Sequence, residues 1–136
     1  MSKNLLLTLT LILFSFMSSC SDDDVTETIN ETFIIGKWTL SSITENGSNV
    51  NLNDCQKMES LEFNTSNEVI IKTYSSNSTN SCKINSNNTY DYSVDHSSIT
   101  IQGIGDSEIS TLKNNKTLTL ESIESSNTIV KTFNRE

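Results

Sequence analysis

The sequence contains no proline, only four glycines among its 136 residues, and a single histidine. Without proline, the turns have to be formed by asparagine, aspartate, serine and the few glycines, whose side chains or conformational freedom suit turns. One histidine and three cysteines are too few ligands for the tetrahedral sites that bind structural or catalytic zinc. We therefore expect no metal site and no cofactor.

Positive charge is also scarce. Nine Lys and Arg residues stand against 17 Asp and Glu, so the formal net charge is −8, and the basic residues do not cluster. Such a chain lacks the electrostatic attraction to phosphate groups on which binding to nucleic acid or to anionic lipid headgroups depends. Nucleic acid is therefore excluded as an expected partner.

Long apolar runs are missing except at the N-terminus, where one extends from residue 5 to residue 17 behind Lys3. It is shorter than the roughly 20 residues of a membrane span and indicates an export signal. The following Met17-Ser18-Ser19-Cys20 resembles the lipobox of bacterial lipoproteins. This resemblance implies that residues 1–19 are a signal peptide and that Cys20 carries the lipid, palmitate included. The alternative is an ordinary secretory signal with a chance cysteine.

Residues 20–33 are polar and acidic without an apolar period, and they predict a lipidated Cys followed by a flexible tether. More than one acyl chain, at roughly 0.8 kcal/mol per buried CH₂, gives a stable membrane anchor. The run Asp22 to Asp24 resembles the acidic export tag of surface-exposed lipoproteins of Gram-negative bacteria. That resemblance implies an outer-membrane protein facing the cell exterior; the alternative is a solvated linker.

Cys55 and Cys82 remain as a pair once Cys20 is assigned to the lipid. Exported proteins reside in an oxidising compartment, where such a pair usually forms a disulfide. The alternative is two free thiols in the core.

From residue 34 to residue 136, apolar and polar residues alternate with period two in about eight short segments spaced roughly 8 to 12 residues apart. Turn residues separate them, notably Asn46-Gly47, a strong hairpin signal. Residues 75–81 form the longest polar stretch and predict a loop, and Asn53 with Asp54 predicts the cap of one helical turn. The pattern predicts an all-β domain, an antiparallel up-and-down meander closed into a barrel so that no edge is exposed.

Gly36-Lys37-Trp38 at the first predicted strand, with Arg135 just past the last, is similar to the signature of lipocalins. The resemblance implies that Trp38 lies at the closed end of an eight-stranded barrel and that Arg135 stacks on it. From residue 35 to residue 135 the order of motifs resembles the lipocalin-like domains of small bacterial lipoproteins. Because the domain is short for a lipocalin, we expect a small pocket at the end opposite Trp38.

Alternation also predicts which side chains point into the barrel. We expect the ligand-binding candidates to be Leu40, Phe63, Ile71, Tyr90, Tyr92, Ile101 and Leu118. The two tyrosines share one face of one strand, about 7 Å apart, and could offer two polar groups to a mostly apolar ligand.

The sequence leaves two functions open. In one, the lipid-anchored barrel binds a small apolar or amphipathic ligand at the cell surface. In the other, side chains fill the interior, and the protein is a structural or interaction subunit of an outer-membrane assembly that uses its outer face or loops.

Catalytic chemistry is not expected. The only histidine, His96, lies between Asp95 and Ser97. Sequence neighbours on a strand point to opposite faces and cannot assemble a proton relay, so these residues are better interpreted as a turn. We therefore predict that the protein is not an enzyme.

Overall fold

The computed structural model describes residues 31–79, 81–112 and 116–136, and these form an all-β structure with little helix. The elements in chain order are α1 (Glu31–Ile34), β1 (Gly36–Glu45), β2 (Ser48–Asn49), a 3₁₀ turn (Gln56–Met58), β3 (Ser60–Phe63), β4 (Glu68–Ser76), β5 (Cys82–Asp95), β6 (Ser98–Ile101), β7 (Gly105–Leu112), β8 (Thr117–Glu124) and β9 (Asn127–Arg135). The predicted signal peptide, Cys20 and the acidic run lie outside the described residues. Within the described ranges no helix is long and apolar enough to cross a membrane.

The strands follow one another around a closed antiparallel barrel, which confirms the predicted meander. Strand β1 pairs with β3, each strand from β3 to β8 pairs with the next strand along the chain, and β9 pairs in turn with β1. The closing register places Trp38 opposite Arg135 and Leu40 opposite Phe133. Strand β2 contributes only two residues beside β1 and forms a small extension, so eight strands make up the barrel wall.

Turn chemistry at two hairpins explains how the meander reverses without proline. Asn46 and Gly47 both have positive φ, 49° and 78°, as a tight two-residue hairpin turn requires. His96, with φ 56°, occupies the turn between β5 and β6, as the sequence predicts for the Asp-His-Ser segment. The N-cap of the 3₁₀ turn is Cys55 rather than the predicted Asn53 or Asp54, but the side chain of Asn53 accepts a hydrogen bond of 2.9 Å from the backbone N–H of Gln56, the first residue of the turn.

The core follows the period-two alternation along each strand. Leu118 and Leu120 on β8 are buried, while the residues between and beside them are less so. The largest fully buried side chains are Trp38, Phe63 and Phe133. Because neighbouring side chains on a strand point to opposite faces, this pattern fills the barrel on one side of each strand and leaves the other side to water.

Two boundaries differ from the sequence prediction. The predicted loop at 75–81 is shorter, because β4 continues to Ser76, while β5 begins at Cys82, directly after the predicted loop. The part of the β4–β5 hairpin next to this loop is polar. Its strands are held by backbone hydrogen bonds, which do not require alternating apolar residues. The predicted tether also ends earlier, since residues 31–33 belong to α1, and Phe33 lies 5.8 Å from the ring of Trp38.

Candidate ligand-binding cavity and the closed end of the barrel

The two ends of the barrel are built differently. One end, which we call the closed end, contains the start of β1, the end of β9 and α1. There Trp38 is completely buried, and its ring nitrogen donates a hydrogen bond of 2.7 Å to the carbonyl of Ile34 in α1. The helical turn therefore covers this end and is held to the tryptophan.

Arg135 covers the same tryptophan from the last strand. Its guanidinium carbon lies 4.3 Å from the centre of the Trp38 ring, the stacking expected from the sequence. It also donates hydrogen bonds to the carbonyls of Phe33 and Ile35, the latter at 3.1 Å. A guanidinium can stack and donate at the same time because it is planar and carries five N–H groups.

Gly36 makes room for this arrangement. Its φ is +127°, a conformation that residues with a Cβ rarely adopt, and a Cβ there would lie 3.2 Å from Nη1 of Arg135. The glycine of the Gly-Lys-Trp motif thus lets the first strand pass close to the arginine.

An ion pair lies beside this end on the outer surface. The ammonium of Lys37 donates to Glu136 at 2.7 Å, and the hydroxyl of Thr39 donates to the same carboxylate. The hydrogen bond with Glu136 raises the pKa of Lys37, and the hydrogen bonds from Lys37 and Thr39 lower the pKa of Glu136. Both groups are largely exposed, so we assign them no role in a site.

The other half of the barrel contains a cavity of about 300 Å³, at the lower end of the range typical for small-molecule sites. Its inner part, which we call the apolar floor, consists of Leu61, Ile71, Ile101, Leu120 and Phe133. Four of these side chains are buried core residues and Ile71 packs against them. The exposed residues Ile104 and Glu124 place the mouth at the end opposite Trp38.

Hydroxyl groups also line the cavity. They belong to Thr73, Ser86, Ser107, Ser122 and Tyr90. Thr73 and Ser86 are hydrogen-bonded to each other at 2.7 Å across β4 and β5, and the hydroxyl of Tyr90 accepts a bond of 3.1 Å from Asn88. An apolar floor with a few polar groups beside it is the usual composition of a site for a small amphipathic molecule.

A pair of opposite charges also lines the cavity. Nζ of Lys131 on β9 lies 3.6 Å from Oε1 of Glu59, which directly precedes β3, and the two side chains are 37 % and 18 % exposed. Strands β3 and β9 both pair with β1, so the two residues meet across that strand. The cavity therefore has a charged side as well as a hydroxyl-lined one.

The structure brings together three of the predicted ligand-binding residues. Ile71, Tyr90 and Ile101 line the cavity, whereas Leu40, Phe63, Tyr92 and Leu118 lie in the buried core. The ring of Tyr92 packs edge-on against Phe63 at 5.0 Å, and its hydroxyl donates to the carbonyl of Asn64 at 3.2 Å. Tyr92 thus finds its polar partner in the β3–β4 turn, and of the two tyrosines Tyr90 lines the cavity.

Sequence reasoning missed the polar part of the lining. Alternation could have found two of these residues. Ser86 is four residues from Tyr90 on β5, and Ser122 is two residues from Leu120 on β8, so each lies on the inward face of its strand. Alternation could also have placed Lys131 on the inward face, because it stands two residues before the buried Phe133 on β9. Glu59 lies outside every predicted strand and carried no signal in the sequence.

Cys55 and Cys82 form the predicted disulfide, with 5.3 Å between their Cα atoms. The bridge joins the segment around the 3₁₀ turn to the first residue of β5. In the described residues no group of three or more His, Cys, Asp or Glu side chains could hold a metal ion. Asp95 and His96 are in contact at 2.5 Å but are exposed in their turn.

These features define a small, closed antiparallel barrel with an internal cavity, an architecture that often encloses one small ligand. A family model of the lipocalin-like domain matches residues 34–130, and the chain belongs to this family. The lipocalin-like fold is typically a binding fold rather than a catalytic one. The comparison with curated proteins gave no match.

Proposed function

We propose that this chain is an exported, lipid-anchored lipoprotein of the outer membrane that binds a small amphipathic ligand inside its barrel. The observation that carries the binding function is the cavity, which combines an apolar floor with hydroxyl and charged groups. The lipobox-like segment ending at Cys20 supports the anchor, and the acidic run after it supports display on the cell exterior.

The arrangement of the domain is compatible with this anchor. Residue 31, where the described chain begins, lies in α1 at the closed end, and the cavity mouth is at the other end. A tether that enters at the closed end leaves the mouth unobstructed by the attachment point. A ligand could then reach the cavity from the side facing away from the anchor.

Filling the cavity should abolish binding. We expect the purified full-length chain to increase the fluorescence of the uncharged apolar dye N-phenyl-1-naphthylamine, and Ser107→Trp to remove this signal because Ser107 lines the cavity. Ser93→Trp is the matched control, because Ser93 is exposed on β5. Equal dye binding by both variants, or none by the original chain, would count against the cavity as a binding site.

Changing Cys20 to alanine tests the anchor. In a bacterial host with lipoprotein processing, we expect the variant to incorporate no radiolabelled palmitate and to keep its signal segment, because the lipid is attached through the Cys20 thiol. Cys55→Ala provides the control for loss of a cysteine elsewhere and should still be labelled. Undiminished labelling of Cys20→Ala would disprove the anchor and leave the cavity proposal untouched.

One observation favours a second function, that of an interaction subunit. Ile84, Ile104 and Ile123 are 56 %, 57 % and 79 % exposed, and each is near the mouth end of its strand or turn. Exposed apolar residues at one end can contact a partner protein, although single ones are common on surfaces. Absence of dye binding together with a partner captured by crosslinking would favour this function.

A further inference from the structure

The charged pair in the cavity is incompletely satisfied. At 3.6 Å, Glu59 and Lys131 attract each other but are farther apart than the 2.7–2.9 Å of a charge-assisted hydrogen bond. Within residues 31–79, 81–112 and 116–136, neither side chain has a hydrogen-bond partner. An ammonium can donate three hydrogen bonds and a carboxylate can accept about four, so both retain capacity for a ligand.

Their position makes this capacity relevant to binding. Both side chains line the cavity beside the apolar floor, since Lys131 pairs with Leu120 in the β8–β9 register and Glu59 stands two residues before Leu61. The Glu59 side chain, 18 % exposed, is largely removed from water, whereas Lys131 is 37 % exposed. A carboxylate with little access to water gains most from a partner that supplies the missing hydrogen bonds. A ligand with its apolar part on the floor would bring its polar end to the level of these two side chains.

The charges of the pair restrict what that polar end can be. A carboxylate would be attracted by Lys131 but would meet the like charge of Glu59, with Glu124 at the mouth adding to the repulsion. An ammonium would be attracted by Glu59, and by Glu124 at the mouth, but would meet the like charge of Lys131, which already pairs with Glu59. A polar end that carries a donor beside an acceptor, and no net charge, can bond to both members at once.

We propose that Glu59 and Lys131 form the head-group subsite of the cavity, and that the ligand is a net-neutral amphiphile whose polar end places a hydrogen-bond donor next to an acceptor. A primary amide and a zwitterion share this chemistry: the donor faces Glu59 and the acceptor faces Lys131. This inference rests on the proposed binding function and specifies the class of molecule that the cavity takes.

Competition between ligands that differ only in the head group tests the subsite. With the purified full-length chain and bound N-phenyl-1-naphthylamine, octanamide should displace the dye at a concentration at least about tenfold lower than octanoate or octylamine, because only octanamide satisfies both side chains. 2-Aminooctanoate is included to distinguish a zwitterionic from an amide head. If octanoate or octylamine competes as well as octanamide, the inference is overturned, and dye binding still supports the proposed function.

Variants of the pair provide the second test. Glu59→Gln should shift the preference toward octanoate, and Lys131→Gln should shift it toward octylamine, since each leaves one charge without its partner. The exchanged double variant, Glu59→Lys with Lys131→Glu, restores one charge of each sign and should regain the preference for octanamide. It tests the subsite even where a single variant fails to fold. Unchanged preferences in folded variants that still bind the dye would overturn the subsite, whereas loss of dye binding by the original chain would overturn the proposed function with it.

Discussion

Replacing Trp38 with alanine is expected to lower the free energy of unfolding by about 3 to 5 kcal/mol, the usual loss for a fully buried aromatic side chain. Trp38 is completely buried and is the side chain against which Phe33 and Arg135 pack. Its removal would leave a cavity at the closed end and remove one of the hydrogen bonds that hold α1 to the barrel. Urea unfolding followed by circular dichroism would measure the loss.

Two controls separate the contributions to this effect. Trp38→Phe keeps an aromatic ring but loses the hydrogen bond to the carbonyl of Ile34, so its loss should be smaller than that of the alanine variant. Ile123→Ala, at a side chain that is 79 % exposed, should change the free energy by no more than about 0.5 kcal/mol. Equal unfolding midpoints for Trp38→Ala and Ile123→Ala would contradict the packing described for the closed end.

Removing the disulfide is expected to cost about 3 to 4 kcal/mol of unfolding free energy, which the chain-entropy account gives for cysteines 27 residues apart. The bridge closes a loop that holds β3, β4 and the 3₁₀ turn, and so restricts the unfolded chain. The double variant Cys55→Ala with Cys82→Ala should therefore unfold at lower temperature and at lower urea concentration than the original chain.

The closure of the barrel does not depend on this bridge, because it is made by the pairing of β1 with β9. We therefore expect the double variant to keep its circular dichroism spectrum and its dye binding at low temperature. Reduction of the original chain should reproduce the shift, while Cys20→Ala should leave the unfolding midpoint in place. An unchanged midpoint on reduction would show that the bridge contributes nothing to stability.

The closed end of the barrel contributes mainly to stability, and the other end contains the proposed binding cavity. At the closed end, Trp38, Arg135 and α1 form hydrogen bonds and ring contacts that leave no room for a ligand. At the other end the inward side chains include Thr73, Ser86, Ser107 and Ser122, which are short and leave space between the apolar residues. The cavity exists because large side chains are concentrated at one end and small polar ones at the other.

Much of the fold could be predicted because its signals are local. Alternation along a strand depends only on the direction of neighbouring side chains, and a turn such as Asn46-Gly47 depends on the φ values of two residues. The disulfide could be predicted from the number of cysteines, because Cys55 and Cys82 were the two left to pair once Cys20 was assigned to the lipid. Alternation does not predict a strand over the first half of β5, because its residues are polar and the pairing that makes it a strand comes from β4.

The sequence by itself determined an all-β meander, the motif residues Gly36, Trp38 and Arg135, and the disulfide, because each depends on local periodicity, residue type or number. Only the tertiary structure decided which inward side chains border empty space, since that depends on the lengths of side chains that face one another across the barrel. It alone brought Glu59 and Lys131 together. They are 72 residues apart in the chain, and they meet because closure of the sheet places β3 and β9 on either side of β1.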